Sequence, residues 1–175
     1  MWDNVFEAIE TTEVKGNAFR LIGHDWMLVT AGTPGKVNMM TASWGGMGIL
    51  WNRPVCTAVI RPQRYTFEFT EREPVFSLCF FEESHRSMLT LCGTESGRDI
   101  DKVKETGLTP LEGPEGVPIW QEARLAFCCR KIYVQDIDPA GFVDASLEEN
   151  YPIQDYHRAY VGEVVKVLRR RADAS

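Results

Sequence analysis

The chain has 175 residues, of which 44% are hydrophobic and 25% are charged, so its size and composition suit one folded domain and exclude a disordered chain. Its formal net charge of −6 at pH 7 argues against a protein that holds nucleic acid along a basic face, and we expect no nucleic-acid partner. No apolar run approaches the roughly 20 residues of a membrane-spanning helix, and residues 1–10 lack the basic start and apolar stretch of a signal peptide. We therefore expect a cytoplasmic protein with no membrane partner.

The five cysteines predict neither a disulfide framework nor a metal site. They are odd in number, lie mostly among Leu, Phe and Val, and show no Cys-x-x-Cys spacing. We expect buried, reduced thiols, as is usual for a cytosolic protein. Cys128 and Cys129 are adjacent and would point to opposite faces of a strand, so we expect no bond between them.

Short apolar runs rich in β-branched and aromatic residues, each bounded by turn-forming residues, predict strands. The predicted strands cover residues 27–31, 55–60, 75–81, 124–136 and 160–168. Short helices are predicted over residues 65–72, over 85–92 with Ser84 as N-cap, and from Asp99 or Ile100 to Thr106, where Gly107 ends the helix. This mixture favours an α+β, mainly β domain built around an antiparallel barrel.

The first candidate binding segment covers residues 38–46, which read Asn-Met-Met-Thr-Ala-Ser-Trp-Gly-Gly. Thr41 and Ser43 offer hydroxyl groups, while Gly45 and Gly46 remove the side chains that would keep a ligand away from the backbone. Such a segment can present backbone N–H groups to an aromatic heterocycle and hydroxyls to a phosphate. Taken alone, it also fits a strand that runs into a glycine-rich turn beside a buried Trp.

The second segment covers residues 60–66, at the end of a predicted strand and the start of a predicted helix. Arg61 and Arg64 flank a proline turn, and Tyr65 and Thr66 add hydroxyls at the helix N-terminus, where unpaired N–H groups favour an anion. The planar guanidinium of arginine can donate twice to one phosphate. In the alternative interpretation both arginines pair with acidic side chains on a solvated face: Glu68, Glu71 and Glu73.

The third segment covers residues 92–102. Ser96 and Gly97 predict a flexible turn, and Arg98 and Lys102 lie four residues apart at the start of a predicted helix. An ordinary surface loop in which Asp99 caps the helix explains the same residues.

In their order and separations, segments 38–46, 61–66 and 96–102 resemble the flavin reductase-like family, which includes the flavoredoxins. Residues 155–165 are also similar to the closing strand of that family, and the resemblance runs from about residue 27 to residue 167. It implies an FMN-binding split barrel, antiparallel and Greek-key-like with short flanking helices, as a single domain over residues 1–175. It also implies a homodimer with the flavin near the subunit interface.

The resemblance further implies which residues hold a non-covalent FMN. Near the isoalloxazine ring and the ribityl chain it places Thr41, Ala42, Ser43 and Trp44. Near the phosphate it places Arg64, Tyr65 and Thr66, with Arg61 in support, and Ser96, Gly97 and Lys102 complete the contacts. Asn38 belongs to the same binding set, and no metal is expected. Met39, Met40 and Met47 would add a pliable apolar lining.

No side chain is predicted with certainty to be catalytic. His157 lies beside Tyr156 in the segment that resembles the family's closing strand, where it could face the flavin or an incoming nicotinamide. The alternative is a partly buried histidine bonded to the backbone.

The resemblance implies an FMN-binding oxidoreductase of the NAD(P)H-dependent flavin reductase type, which passes hydride from NADH or NADPH to flavin and electrons to an acceptor. The sequence has no G-x-G-x-x-G segment, which would indicate a separate nicotinamide-binding domain. NAD(P)H would therefore stack on the flavin itself. One alternative is a flavoredoxin-like electron-transfer protein that lacks an efficient NAD(P)H site and serves a redox partner protein. Another is a non-redox module that uses Arg61, Arg64 and Arg98 for a different phosphorylated ligand.

Overall fold

The computed structural model describes residues 1–33 and 35–172, and in these ranges it contains ten strands and four short α-helices. The strands are β1 (Phe6–Ile9), β2 (Met27–Thr33), β3 (Lys36–Ala42), β4 (Gly45–Leu50), β5 (Arg53–Ile60), β6 (Val75–Phe80), β7 (Pro110–Glu112), β8 (Pro118–Trp120), β9 (Leu125–Asp136) and β10 (Arg158–Arg170). The helices are α1 (Ala18–Arg20), α2 (Tyr65–Arg72), α3 (Arg86–Thr94) and α4 (Lys102–Thr106). No helix among the described residues is long and apolar enough to cross a membrane.

Eight of the strands form one antiparallel sheet in the order β3-β2-β6-β9-β10-β5-β4, with β1 added on β10, while β7 and β8 form a separate hairpin. The long strands β9 and β10 pair along their whole length and make the centre of this sheet. Their register shifts between Val161 and Gly162 and again between Val164 and Lys166. Such irregularities bend and twist strands. This mainly antiparallel architecture with short helices confirms the predicted fold class.

The apolar residues divide between two cores on opposite faces of the sheet. The inner core contains Phe76, Phe80 and Cys129, whereas the outer core, beneath α3 and the small hairpin, contains Trp120 and Cys128. The prediction that the adjacent cysteines point to opposite faces is therefore confirmed. All five cysteines are buried and free. Burial raises the pKa of the Cys79 thiol to about 12 and that of Cys92 to about 11, which keeps both protonated.

Helices α3 and α4 differ from the predicted ones at their N-termini. Helix α2 begins and ends as predicted, but a 3₁₀ turn, Glu83–His85, precedes α3, so Ser84 does not cap that helix. Helix α4 begins only at Lys102, and its cap is Asp101, whose side chain accepts a hydrogen bond from the Lys104 N–H. Asp99 is therefore not the cap, and Arg98 lies outside the helix.

Candidate functional site

Two cavities meet at Arg64, which lines both of them. The larger one, the Trp44 cavity, has a volume of about 200 Å³ and is lined by Met40, Thr41, Ala42, Ser43, Trp44, Val59, Arg61, Arg64 and His157. The smaller one, the Gly97 cleft, has a volume of about 70 Å³ and is lined by Asn38, Gln63, Arg64, Tyr65, Thr66, Thr94, Glu95, Ser96, Gly97 and Lys102. The arrangement can therefore take a ligand with a wide part and a narrow part.

One wall of the Trp44 cavity is the end of β3 and the two residues that connect it to β4. The Thr41 hydroxyl donates a 2.6 Å hydrogen bond to the carbonyl of Leu89, which fixes the strand end against α3. Trp44 remains 46% exposed, so its ring forms an open side of the cavity. Met40 lines this cavity, but Met39 packs in the outer core and Met47 against the inner core, contrary to the expected lining by all three methionines.

Gly45 has a different role from the one the sequence suggested. Its φ is +152°, and a Cβ at this position would lie 2.4 Å from the carbonyl oxygen of Thr57 and 2.8 Å from Cε of Met27. The absence of a side chain at position 45 therefore allows β4 to pair closely with β5. Glycine is needed there for this pairing and not for the entry of a ligand.

The Gly97 cleft lies over the N-terminus of α2. The first N–H groups of a helix, here those of Tyr65 and Thr66, have no carbonyl group four residues earlier within the helix to accept their hydrogen bonds. They can therefore donate hydrogen bonds to an anion. The Thr66 hydroxyl accepts a 2.8 Å hydrogen bond from Nδ2 of Asn38, and both side chains are buried. This bond ties β3 to the start of α2.

Gly97 fits the cleft because it has no side chain. A Cβ at position 97 would lie 2.2 Å from Oδ1 of Asn38 and 3.1 Å from Cδ1 of Tyr65. Contacts this short would displace Asn38, so the cleft keeps its shape only with glycine. Ser96 precedes it and accepts a hydrogen bond from the Arg98 N–H, which leaves its own hydroxyl proton available to a ligand.

Two cations are fixed beside the cleft by carbonyl groups. Arg64 donates to the carbonyls of Gly93 at 2.7 Å and Cys92 at 3.2 Å, and Nζ of Lys102 donates to Cys92 at 2.9 Å and Met39 at 3.0 Å. Burial lowers the pKa of Arg64 and lowers that of Lys102 to about 8. Carbonyls orient these cations without cancelling their charge, so the two cations outweigh the one carboxylate that lines the cleft, Glu95, and the cleft stays electropositive at neutral pH.

Arg61 differs from its expected supporting place beside the phosphate, and Arg98, which belongs to the third candidate segment, also lies away from both cavities. Arg61 lines the Trp44 cavity and not the cleft, because its guanidinium pairs with Asp155 and donates to the carbonyl of Asn150. Arg98 pairs with Glu68 and lines neither cavity. Arg61 therefore anchors the segment before β10. The alternative in which Arg61 and Arg64 pair with Glu68, Glu71 or Glu73 is wrong, because Arg61 pairs with Asp155, Arg64 donates to carbonyl groups, and it is Arg98 that pairs with Glu68.

His157 is buried at the edge of the Trp44 cavity, with its ring centroid 5.2 Å from that of Trp44. Its Nδ1 lies 2.9 Å from the hydroxyl of Tyr151, so its partner is a side chain and not the backbone. Burial lowers the pKa of His157 to about 4, which leaves the ring neutral at pH 7.

The resemblance assigned twelve residues to FMN binding, and these twelve and His157 all line one of the two cavities, unlike Met39 and Met47. Sequence reasoning missed Val59, Gln63, Thr94, Glu95 and the supporting Tyr151. Gln63 lies within segment 60–66, and Thr94 and Glu95 lie within segment 92–102, but none of the three was given a role. No local signal marks Val59, since it lies within an apolar strand.

Comparison with known proteins gives one family. The family model of flavin reductase-like domains matches residues 19–175. No curated protein sequence matches the chain.

Solved structures share the fold at low sequence identity. The FMN-binding domain of a flavin reductases-like enzyme from Shewanella baltica OS155 superposes with a TM-score of 0.68 at 21% identity, over 94% of this chain and 76% of that one. Flavoredoxin of Desulfovibrio vulgaris (Miyazaki F) gives 0.66 at 19% identity, over 95% and 81%. An NADH:FAD oxidoreductase of Streptomyces globisporus C-1027, in complex with NAD and FAD fragments, gives 0.63 at 16% identity, over 84% and 77%.

Proposed function

The chain belongs to the flavin reductase-like family, and we propose that it is an FMN-binding oxidoreductase that takes electrons from NADH or NADPH. The observation that carries this proposal is the junction of the two cavities at Arg64. A wide cavity beside Trp44 joins a narrow, electropositive cleft, which suits an aromatic ring joined to a phosphate.

The residues present fit FMN in their chemistry. The N-terminus of α2, the cations of Arg64 and Lys102 and the side-chain-free backbone of Gly97 suit the phosphate. The backbone and hydroxyls of residues 41–44 suit the ring and the ribityl chain. When bound, FMN supplies the hydride and electron chemistry, and the protein supplies binding and orientation.

His157 contributes a neutral polar group at the edge of the Trp44 cavity. Its hydrogen bond to Tyr151 fixes the ring plane, and its low pKa keeps a charge out of this part of the site at pH 7. In our proposal it contacts the flavin or the nicotinamide and does not transfer a proton.

The second candidate function is electron transfer between FMN and a redox partner protein without an efficient NAD(P)H site. The likeness to a flavoredoxin favours it. The two functions share the FMN site and differ in one measurable respect, which is whether NADH or NADPH reduces the bound flavin.

We also propose a homodimer, formed at the edge strand β4. The run from Gly45 to Trp51 carries no charged residue, although exposed strand edges are normally protected by charges or proline. Ile49 is 72% exposed and Trp51 is 55% exposed. Trp51 also has a φ of +52°, an uncommon conformation for a bulky side chain, and this turn holds its ring outward.

The buried, free thiols suit a reducing compartment and support a cytoplasmic location.

The test of the site is FMN affinity after Arg64→Ala. We expect the variant to bind FMN about 10- to 100-fold more weakly, because hydrogen bonds to charged groups contribute about 1.5–3 kcal/mol. Quenching of flavin fluorescence on titration measures this. Arg72→Gln, at the exposed far end of α2, is the matched control and should bind as the wild type does. Equal affinity of Arg64→Ala and wild type would contradict the assignment.

A further inference from the structure

The imidazole ring of His157 is held by one tyrosine at the edge of the Trp44 cavity. Nδ1 of His157 lies 2.9 Å from the hydroxyl oxygen of Tyr151, and both side chains are buried. The two rings meet edge to face, with their centroids 5.5 Å apart. The second ring nitrogen, Nε2, lies on the other side of the imidazole and does not contact Tyr151.

Nε2 of His157 is accessible from the cavity. It has no hydrogen-bond partner among residues 1–33 and 35–172. It is not enclosed either, because Oδ1 of Asp155 is the one buried side-chain nitrogen or oxygen atom in these ranges that lacks a partner. Since His157 lines the Trp44 cavity, Nε2 is free to contact a ligand there.

The hydrogen bonds around the Tyr151 hydroxyl decide which nitrogen of His157 carries a proton. Burial lowers the pKa of His157 to about 4 and raises the pKa of Tyr151, so at pH 7 the imidazole is neutral and the phenol keeps its proton. The backbone N–H of His157 donates to the phenol oxygen. The phenol proton is therefore directed to Nδ1. A neutral imidazole has one N–H, which is then on Nε2.

The reverse arrangement, with the proton on Nδ1, leaves a buried group unsatisfied. The oxygen of Tyr151 would then accept from both Nδ1 and the backbone N–H of His157. Its own proton would have no acceptor among the described residues. Buried polar groups are nearly always hydrogen-bonded, so the Nε2–H form is favoured.

Arg61 fixes the segment that carries both residues. Its guanidinium donates to the carbonyl of Asn150 at 2.8 Å and pairs with Asp155. These two residues lie one position before Tyr151 and two positions before His157. The guanidinium carbon also lies 5.1 Å from the centroid of the Tyr151 ring, a cation–π contact. The nearby positive charge makes the phenol a stronger hydrogen-bond donor, which again favours donation to Nδ1.

We propose that Tyr151 is a positioning residue that holds His157 as an Nε2–H donor, and that this N–H binds a carbonyl oxygen of the ligand in the Trp44 cavity. This role rests on the proposed function and adds to it the donor atom and the chemical group that it recognises. Two sources supply such an oxygen, namely a ring carbonyl of FMN and the carboxamide of a nicotinamide. A neutral donor suits both of them, because both groups are uncharged.

The tautomer of His157 is measured by two-bond ¹H–¹⁵N correlation spectra of the ¹⁵N-labelled protein before FMN is added. The chain has three histidines, so the spectrum of His157→Gln identifies the signal. We expect one tautomer in the wild type, with the proton on Nε2, and a mixture of both tautomers in Tyr151→Phe. Phenylalanine keeps the aromatic ring, so the packing against Arg61 and Phe142 remains and the variant should fold.

Tyr156→Phe is the matched control for this variant. The ring of Tyr156 packs against that of Tyr151 with their centroids 4.8 Å apart, but its hydroxyl makes no hydrogen bond among the described residues. The control should therefore show the wild-type tautomer. A wild-type proton on Nδ1, or the same spectrum of His157 in Tyr151→Phe and wild type, overturns the role of Tyr151.

Binding titrations distinguish the two sources of the carbonyl oxygen. FMN is titrated into the free protein by fluorescence quenching, and NAD⁺ and NADP⁺ are titrated into the FMN-loaded protein by calorimetry, which needs no turnover. We expect Tyr151→Phe to lower one of these affinities about two- to tenfold, since the loss of one neutral hydrogen bond weakens binding by about this factor. Weaker FMN binding indicates the flavin carbonyl, and weaker nucleotide binding indicates the carboxamide.

The carbonyl contact is overturned if Tyr151→Phe binds FMN and both nucleotides as tightly as the wild type does. Failure of the proposed function gives a different result, which is a wild type that binds neither FMN nor a nicotinamide nucleotide. In that case the carbonyl contact is lost with it, and the spectra of the free protein still decide whether Tyr151 sets the tautomer of His157.

Discussion

In the proposed FMN site, the cations of Arg64 and Lys102 are held by the same carbonyl group of Cys92. Burial affects them unequally. Burial lowers the pKa of Arg64, but arginine starts from so high a pKa that the group stays charged at any physiological pH. Burial lowers the pKa of Lys102 to about 8. The protonation of Lys102 therefore varies within the pH range of ordinary measurements.

This difference predicts that FMN affinity decreases as the pH rises through 8. Below that pH Lys102 is a cation and attracts the phosphate, and above it the charge is lost, so affinity falls by up to about tenfold between pH 8 and 9. Fluorescence titrations from pH 7 to 9.5 measure the slope. Lys102→Met should bind more weakly at pH 7 and show a flatter profile, and an identical slope in both proteins would exclude Lys102 as the cause.

At the scale of single residues, the family resemblance, and not residue type or spacing alone, assigned Asn38, Gly97 and Lys102 to the binding set. The structure adds contacts that the sequence did not predict. The pairing of Arg61 with Asp155 joins residues 94 positions apart. The requirement for glycine at position 45 comes from Thr57 on the next strand. Neither contact leaves a local trace in the sequence.

Among the elements, β10 shows how one glycine shapes the central strand pair. Gly162 lies at a register shift, and a Cβ there would be 2.7 Å from both Cβ of Cys129 and Cζ of Phe76. Both neighbours are fully buried, so neither has space to move away.

We therefore expect Gly162→Ala to lower the free energy of unfolding by about 1–3 kcal/mol through overpacking of the core. Gly46→Ala is the matched strand control, since nothing lies within 4 Å of a Cβ at that position. Urea unfolding of both variants without FMN measures the difference. Equal stability of the two variants would show that the strand pair adjusts freely around position 162.

The elements also show where local sequence is informative. Helix α2 follows a proline turn and has the predicted bounds, because its start signal lies within a few residues of it. Helix α3 begins after a 3₁₀ turn, and local sequence signals do not distinguish such a turn from the first turn of an α-helix. The prediction of Ser84 as the N-cap was therefore wrong. The predicted strands were each found, but β10 extends from Arg158 to Arg170 because it pairs along its full length with β9.

For the molecule as a whole, the order of the strands could not be read from their composition, since the apolar runs resemble one another. The family resemblance, and not the periodicity, predicted the split barrel. The structure adds that β4 is at one end of the sheet and carries an uncharged, partly exposed apolar surface.

This edge predicts a dimer in solution. Analytical ultracentrifugation of the wild type should give twice the mass of one chain, and Ile49→Lys/Trp51→Lys should give the monomer, because two charges would be buried in the interface. Val143→Lys is the control, since Val143 is fully exposed on a different segment. A monomeric wild type would contradict the dimer, and a dimeric double variant would place the interface elsewhere.

We propose that the chain binds FMN and accepts electrons from a nicotinamide nucleotide. The visible absorbance spectrum of the FMN-loaded protein, recorded without oxygen before and after NADH and then NADPH are added, tests both properties at once. We predict that the flavin bands bleach within seconds with one of the two donors. Flavin that stays oxidised with both donors would contradict the reductase function and favour the electron carrier, and a protein that takes up no FMN would contradict the claim as a whole.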